Sequence, residues 1–306
     1  MLTVPIRPAP EIQADLIESG LRAANTHIFE QNKIWARYSD EKADIAESLM
    51  GIMRRFGKTL PHDKPLRALS IGSSSEPQFR LLEAGFRGGL YLFDKEPAAL
   101  DVVNEKIARQ QIRNVTTVHG DYTERFSDPR TAANTLIDDL GGHRFELITL
   151  HHALYYADPA QWQALIEALV QSVLAPDGVI HIVLMSPEDQ RLGTTTCLYN
   201  TFARRFFDHE NRQDLLQLKQ DLISGDVLKD DELVFEPRDV RFIADDFEKL
   251  MSVIWMIMLY PDTHDYSLAQ RREITAYVRD NFWLDGRPLL QVQDSLSIYR
   301  GRCALH

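Results

Sequence analysis

Residues Ala68 to Phe79 read ALSIGSSSEPQF. An apolar run closed by one glycine and three serines, then Glu76-Pro77, is the pattern of a short buried strand, a turn and a helix start. Working outward, the same alternation continues to about Met185. Strands are expected at Leu66–Ile71, Leu90–Phe93, Val115–Val118, Phe145–Leu150 and Val179–Met185, and helices at Glu76–Ala84, Pro97–Gln110, Asp128–Leu140 and Pro159–Leu174. Five strands separated by four helices imply parallel pairing through right-handed crossovers. The expected fold class is therefore α/β, a doubly wound Rossmann-like sheet with helices on both faces.

The flanks complete the organisation. Residues 1–60 read as an N-terminal helical cap, 61–187 as the Rossmann-like core and 188–288 as a mostly helical lid or insertion that includes Ala244–Leu259 and Ser267–Trp283. Residues 289–306 hold an alternating segment, Leu289–Tyr299, read as a last strand returning to the sheet, and a tail. Trp255 and Met256 read as core.

Composition narrows the classes. The 306 residues are 44% hydrophobic and 26% charged, enough for a full core, and the formal net charge is -11. No Lys/Arg cluster interleaves with aromatics, which argues against nucleic acid or an anionic membrane as partner. Two cysteines, Cys197 and Cys303, sit in no metal spacing, so no metal is expected. The longest apolar run, Val253 to Tyr260, is far too short for a membrane span, and the N-terminus lacks a leader pattern; a cytoplasmic location is expected.

In open parallel sheets ligands bind beyond the carboxyl ends of the strands. There the sequence places Gly72-Ser73-Ser74-Ser75-Glu76, Asp94-Lys95-Glu96, Gly120-Asp121-Tyr122 and His151-His152-Ala153-Leu154-Tyr155-Tyr156. Asp94 stands 22 residues beyond Gly72, the spacing at which a strand-end acid accepts from a ribose diol. It could equally cap the next helix. Asp121 can accept from an adenine amino group while Tyr122 offers a ring face, although Gly-Asp is also a common turn. Together these steps indicate an adenosine cofactor. Glu76 opens the helix where a dinucleotide would set its pyrophosphate, whereas S-adenosyl-L-methionine carries cations there and tolerates an acid. The methyl donor is favoured over a nicotinamide dinucleotide.

With these residues assembled, the chain resembles the class I S-adenosylmethionine-dependent methyltransferases, and within them most the histamine N-methyltransferases. The likeness runs through LSIG at Leu69–Gly72, FELITLHHALYY at Phe145–Tyr156 and DSLSIY at Asp294–Tyr299, and covers most of the chain from about Phe29. It implies a seven-stranded sheet whose last strand runs antiparallel. The first loop departs from GxGxGE: serines replace small residues, and Glu76 takes the third glycine's place or follows a one-residue deletion. The cofactor-binding set is then Gly72, Ser73, Ser74, Glu76, Asp94, Lys95, Asp121, Tyr122 and His151. By the same resemblance Tyr155 and Tyr156 line the acceptor pocket, Glu41 contacts the acceptor, and Asp294 stands at an amide-bearing position of the last strand. A small, amine-bearing acceptor follows from two acids and two tyrosines in those places.

Transfer from a sulfonium is an in-line displacement at an activated carbon, so alignment and exclusion of water matter most. A protonated amine must also lose its proton, to solvent, Glu41, His151 or His152. The two histidines are adjacent, so at most one should face the site in extended chain. Each of these side chains also has a purely structural reading, as core, cap or solvated face. A nicotinamide-dependent oxidoreductase on the same sheet and a non-catalytic binding or scaffold protein are the competing classes; no Tyr-xxx-Lys pair supports the former.

Overall fold

The computed structural model describes residues 10–72, 78–259 and 265–304; Ser73, Ser74 and Glu76 lie outside the described residues. The described residues form one seven-stranded sheet from β1 (Arg67–Ile71), β2 (Gly89–Asp94), β3 (Val115–His119), β4 (Phe145–His151), β5 (Leu174–Met185), β6 (Glu232–Phe242) and β7 (Leu289–Tyr299). Their order is β3-β2-β1-β4-β5-β7-β6. Pairing is parallel between β1 and β2, β1 and β4, β2 and β3, and β4 and β5. The last strand turns back: Ser186 N–H donates to Val292 O and Arg300 N–H to Gly178 O, so numbers fall along β7 as they rise along β5. The fold is the expected Rossmann-like sheet with an antiparallel last strand. Strand order reverses between β1 and β4, which makes that pair the switch point where ligands bind in such sheets.

The sequence explains why these segments settle as they do. β4, FELITLH, is buried along its whole length, as a central parallel strand with both faces covered must be. Helices on the crossovers begin where proline fits the first turn: Pro97–Gln110, Pro129–Asp138 and Pro159–Ala168. Asp128 and Asp158 cap the latter two by accepting from Arg130 and Thr131 N–H, and from Ala160 N–H. Alternation then sorts the strand residues. One face carries Leu69, Ile148, Leu150 and Ile182 into one apolar cluster, and the other carries Ala68, Leu147, Val179 and Val183 against Ile45 and Phe56 of the helix Glu41–Thr59.

Region 188–288 carries the helices Thr195–Phe207, Leu215–Ser224, Phe247–Leu259 and Leu268–Val278 and, between the second and third, β6, a strand not expected there. Its ELVFEPRDVRF mixes charges with half-buried apolar residues and holds Pro237, a composition suited to the sheet edge it occupies. The helix expected to reach Leu174 ends earlier, and Leu174 begins β5.

The chain divides into two compact units. The first comprises Ala43–Leu184, Gln213–Arg238 and Gln293–His306, and the second Met1–Lys42, Met185–Arg212 and Asp239–Val292. In the second, the helix Phe247–Leu259 supplies much of the core. Trp255 is fully buried there and its indole N–H donates to Gly20 O at 2.8 Å, while Met256 is half-buried. Among the described residues no helix is long and apolar enough to cross a membrane.

Candidate functional site

The carboxyl ends of the first four strands are tied to one another. Gly72 N–H donates to Phe93 O at 2.8 Å, joining β1 to β2, and Gly120 N–H donates to Asp94 O at 3.0 Å, joining β2 to β3. Tyr122 closes the set, its phenol donating to Ala153 O at 2.7 Å and so linking the turn after β3 to that after β4. Gly72 has φ +69, and a Cβ built on it would stand 2.7 Å from Ala153 Cβ. Only a residue without a side chain lets the turn after β4 pack so closely on the end of β1.

Around this knot stand the acids expected to meet an adenosine. Asp94 is buried at the end of β2, and its Oδ1 accepts from Glu96 N–H at 2.9 Å. The structure thus gives Asp94 a turn-forming contact, while the N-cap of the following helix is Glu96. Asp121 Oδ1 accepts from Thr123 N–H and Oγ1, capping a short turn of helix. Tyr122, expected to offer a ring face, is instead buried in the apolar cluster. Burial, with Asp121, Tyr156 and Asp94 nearby, pushes its phenol far above the ordinary range. Lys95 lies with its ammonium 5.1 Å from the exposed Tyr156 ring, and its carbonyl meets His119 Nε2 at 3.1 Å.

The two histidines part company. His151, the last residue of β4, sets Nε2 2.8 Å from Nδ1 of His181 on the neighbouring strand, with the rings perpendicular. His152 leaves the strand with φ +53, a left-handed conformation that costs a non-glycine residue about 1 kcal/mol. Its N–H donates to Val183 O at 2.8 Å, its ring stacks on Tyr155, and its Nδ1 lies 3.1 Å from the Tyr155 phenol. Tyr155 is half-buried and held through its carbonyl by Gln213 Nε2 at 3.2 Å. Asp294 is buried within β7.

Glu41 belongs to the second unit. It is 2% exposed, and Trp35 donates its indole N–H to Glu41 Oε2 at 2.7 Å. Trp35 in turn stacks on Phe242, the two ring centroids 5.5 Å apart. A buried carboxylate beside stacked aromatics is an arrangement suited to an organic cation.

Sequence reasoning passed over His181, Asp44, Arg238 and Gln293. Thr149 pairs with Ser70 and His181, which puts all three on the face covered by Glu41–Thr59, and Thr149 Oγ1 donates to Ser70 Oγ at 2.9 Å. Asp44 accepts from Arg238 Nη1 at 3.0 Å and from Gln293 Nε2 at 3.2 Å. The available signal was a polar residue interrupting an otherwise apolar strand, His181 within VIHIVLM. Among the described residues no group of three His, Cys, Asp or Glu is placed to hold a metal ion.

No family model and no curated protein matches the sequence. Solved structures of similar shape exist. YcgJ of Bacillus subtilis is 17% identical, covers 82% of this chain and 99% of its own, and has a TM-score of 0.48. The [4+2]-cyclase SpnF is 10% identical over 81% of this chain and 80% of its own, with a TM-score of 0.45. The phosphoethanolamine N-methyltransferase 2 of Haemonchus contortus, in complex with S-adenosyl-L-methionine, is 12% identical over 82% and 52%, with a TM-score of 0.43. The latter two are named for different reactions, and likeness at this level does not choose between them. The Rossmann-like fold of this chain stands on its own strand order and pairing.

Proposed function

We propose that the chain is a class I S-adenosylmethionine-dependent methyltransferase that acts on a small, amine-bearing molecule. The observation that carries the reading is the interlocked edge at the switch point, where three hydrogen bonds join Gly72 to Phe93, Gly120 to Asp94 and Tyr122 to Ala153 in the turn after β4, with Asp121 between Gly120 and Tyr122. The chemistry of that set fits the donor: Asp94 for a ribose diol, Asp121 for an adenine amino group, with Lys95 beside them. In sequence Glu76 follows the loop, an acid that opposes a pyrophosphate and suits cations.

When bound, S-adenosyl-L-methionine supplies a methyl group on an already activated sulfonium carbon. The chain's own residues have the remaining tasks. Asp94 and Asp121 orient the nucleoside, Tyr155 and Tyr156 wall the acceptor, and Asp294 recognises its positive charge. A proton released from the bound ammonium goes to a base at the end of β4. The finer likeness to histamine N-methyltransferases, on Phe145–Tyr156 and Asp294–Tyr299, belongs to this same reading, as does a cytoplasmic location.

Thermal-shift measurements with S-adenosyl-L-methionine, its demethylated product and NAD test the cofactor. Stabilisation by the first two and not by NAD is expected; the reverse would replace the reading with a nicotinamide enzyme, and no stabilisation by any would favour a scaffold. A panel of small amines with mass-spectrometric detection of methyl transfer then tests the acceptor. Tyr155→Ala and Asp294→Ala should raise KM for the acceptor and leave donor affinity unchanged.

A further inference from the structure

We propose that the cleft at the amino ends of β2 and β3 is a second binding site, for a small organic phosphate whose anionic head pairs with Arg87 and Arg113 and whose body lies on Tyr91 and Thr116. The cleft belongs wholly to the first unit and stands at the opposite end of β2 from Asp94. The six residues Gly89–Asp94 put roughly 17 Å between those two ends, so the site is separate from the edge proposed for the methyl donor.

The register of the strands builds the floor. Tyr91 pairs with Thr116, so their side chains stand side by side on one face of the sheet, while Leu90 and Leu92 turn to the other. The Tyr91 ring is held from the side by Phe145, edge to face with centroids 5.2 Å apart. Gly89, two residues before Tyr91 on the same face, has φ +140 and carries no side chain; a Cβ there would stand 3.1 Å from the Tyr91 ring. The cleft is thus left open along β2, with a volume of about 700 Å3. That lies within the range of about 300–1,000 Å3 usual for pockets that hold organic ligands.

The walls are basic on an acidic chain. Net charge is -11, yet Arg87 and Arg113, both exposed, line the cleft with no carboxylate partner among the described residues. The acid that also lines it, Glu83, accepts from Arg80 Nη1 at 3.2 Å and is neutralised there. Helix ends count against an anion, because Phe79–Gly85 and Pro97–Gln110 both finish at this edge. Each contributes at most about half a negative charge. Their last carbonyls are moreover engaged: Glu83 O accepts from Asn114 Nδ2 at 2.9 Å, and Ile107 O from Ile112 N–H at 3.1 Å. Two whole guanidinium charges outweigh two such part charges.

The ligand class follows from these groups. A guanidinium offers paired N–H donors that match two oxygens of a phosphate, and two guanidiniums suit the charge of close to two that a phosphate ester carries at neutral pH. A bare phosphate would leave most of the cleft to water. An organic body covers the Tyr91 ring instead, and the Thr116 hydroxyl and the phenol donate to or accept from its polar atoms.

Isothermal titration calorimetry of the full chain with phenyl phosphate tests the site, with phenol and inorganic phosphate as the two halves of that probe. Saturable binding of phenyl phosphate is expected, weakened about tenfold in Arg87→Gln and again in Arg113→Gln. Arg54→Gln should leave it unchanged, because Arg54 is an exposed residue of the helix Glu41–Thr59, which covers the other face of the sheet. Inorganic phosphate should bind more weakly and phenol not at all. No saturable binding of phenyl phosphate, equal affinity for inorganic phosphate, or equal affinity in the wild type and both cleft variants would overturn the proposal. Amide 1H–15N spectra locate the ligand: the largest shifts should fall on Gly89 and Thr116, and shifts confined to Gly72 and Asp121 would place it at the donor edge and overturn the proposal too.

Discussion

The two ends of β4 treat buried polar groups in opposite ways. At the amino end Glu146 is almost wholly enclosed, and both its oxygens are used: Oε1 faces Lys64 Nζ at 2.9 Å and Oε2 accepts from Arg67 N–H at 2.7 Å. At the carboxyl end, six residues away, the chain carries a left-handed histidine, a perpendicular histidine pair and a buried ring nitrogen without a hydrogen-bond partner among the described residues. One end spends its polar atoms on holding the strand. The other tolerates strain and incomplete pairing, which is what a site kept for chemistry costs in stability.

Substitutions can break this contrast, and the largest effect belongs to the knot itself. Gly72→Ala forces a side chain into a left-handed residue and against Ala153, and the strain and overpacking together should cost about 3 kcal/mol in denaturant unfolding. An unchanged midpoint would mean that the turn after β4 does not press on β1. At the opposite end, Glu146→Ala should cost about 2 kcal/mol, because Arg67 N–H loses its acceptor while the partly exposed Lys64 rehydrates. Glu146→Gln, which keeps an acceptor, should recover part of that loss, and donor affinity should be unaffected by either.

Acid sharpens the comparison next. The His181 imidazole is held below its ordinary value by burial, so the unfolded chain binds the proton more readily than the folded one. That sign makes stability greatest above the unfolded histidine range and lost as pH falls from about 6.5 toward the folded value, by up to about 1.4 kcal/mol per pH unit. His181→Asn should flatten that slope, read from unfolding midpoints across the range. Smallest is His152→Gly. Relief of the left-handed strain offsets the lost stacking on Tyr155, and stability should stay within about 1 kcal/mol while turnover falls. A large loss would assign His152 to packing.

Much of this was legible because it is local. The strand-turn-helix alternation through Met185 located β1 to β5 in outline, and Pro97–Gln110 has the bounds its proline start and apolar spacing predict. Leu289–Tyr299 alternates clearly enough to be read as a returning strand. β6 was missed because its apolar positions are only half-buried and Pro237 argues against a strand anywhere but an edge. At the site, strand-end position alone indicated Asp94, Asp121 and the turn after β4. Tyr122 went astray because a tyrosine after a strand gives no sign of whether its ring or its hydroxyl will be used. His181 stayed hidden because its role depends on the pairing of β4 with β5, and no spacing within one segment encodes a contact between two strands.

The central claim is that the edge around Gly72, Asp94 and Asp121 holds S-adenosyl-L-methionine. Isothermal titration calorimetry of the wild type and Asp94→Ala tests it most directly. Saturable binding to the wild type that weakens about 100-fold in Asp94→Ala is predicted, the loss expected for two hydrogen bonds to a charged group. Equal affinity in the two proteins, or no binding to the wild type, would contradict it.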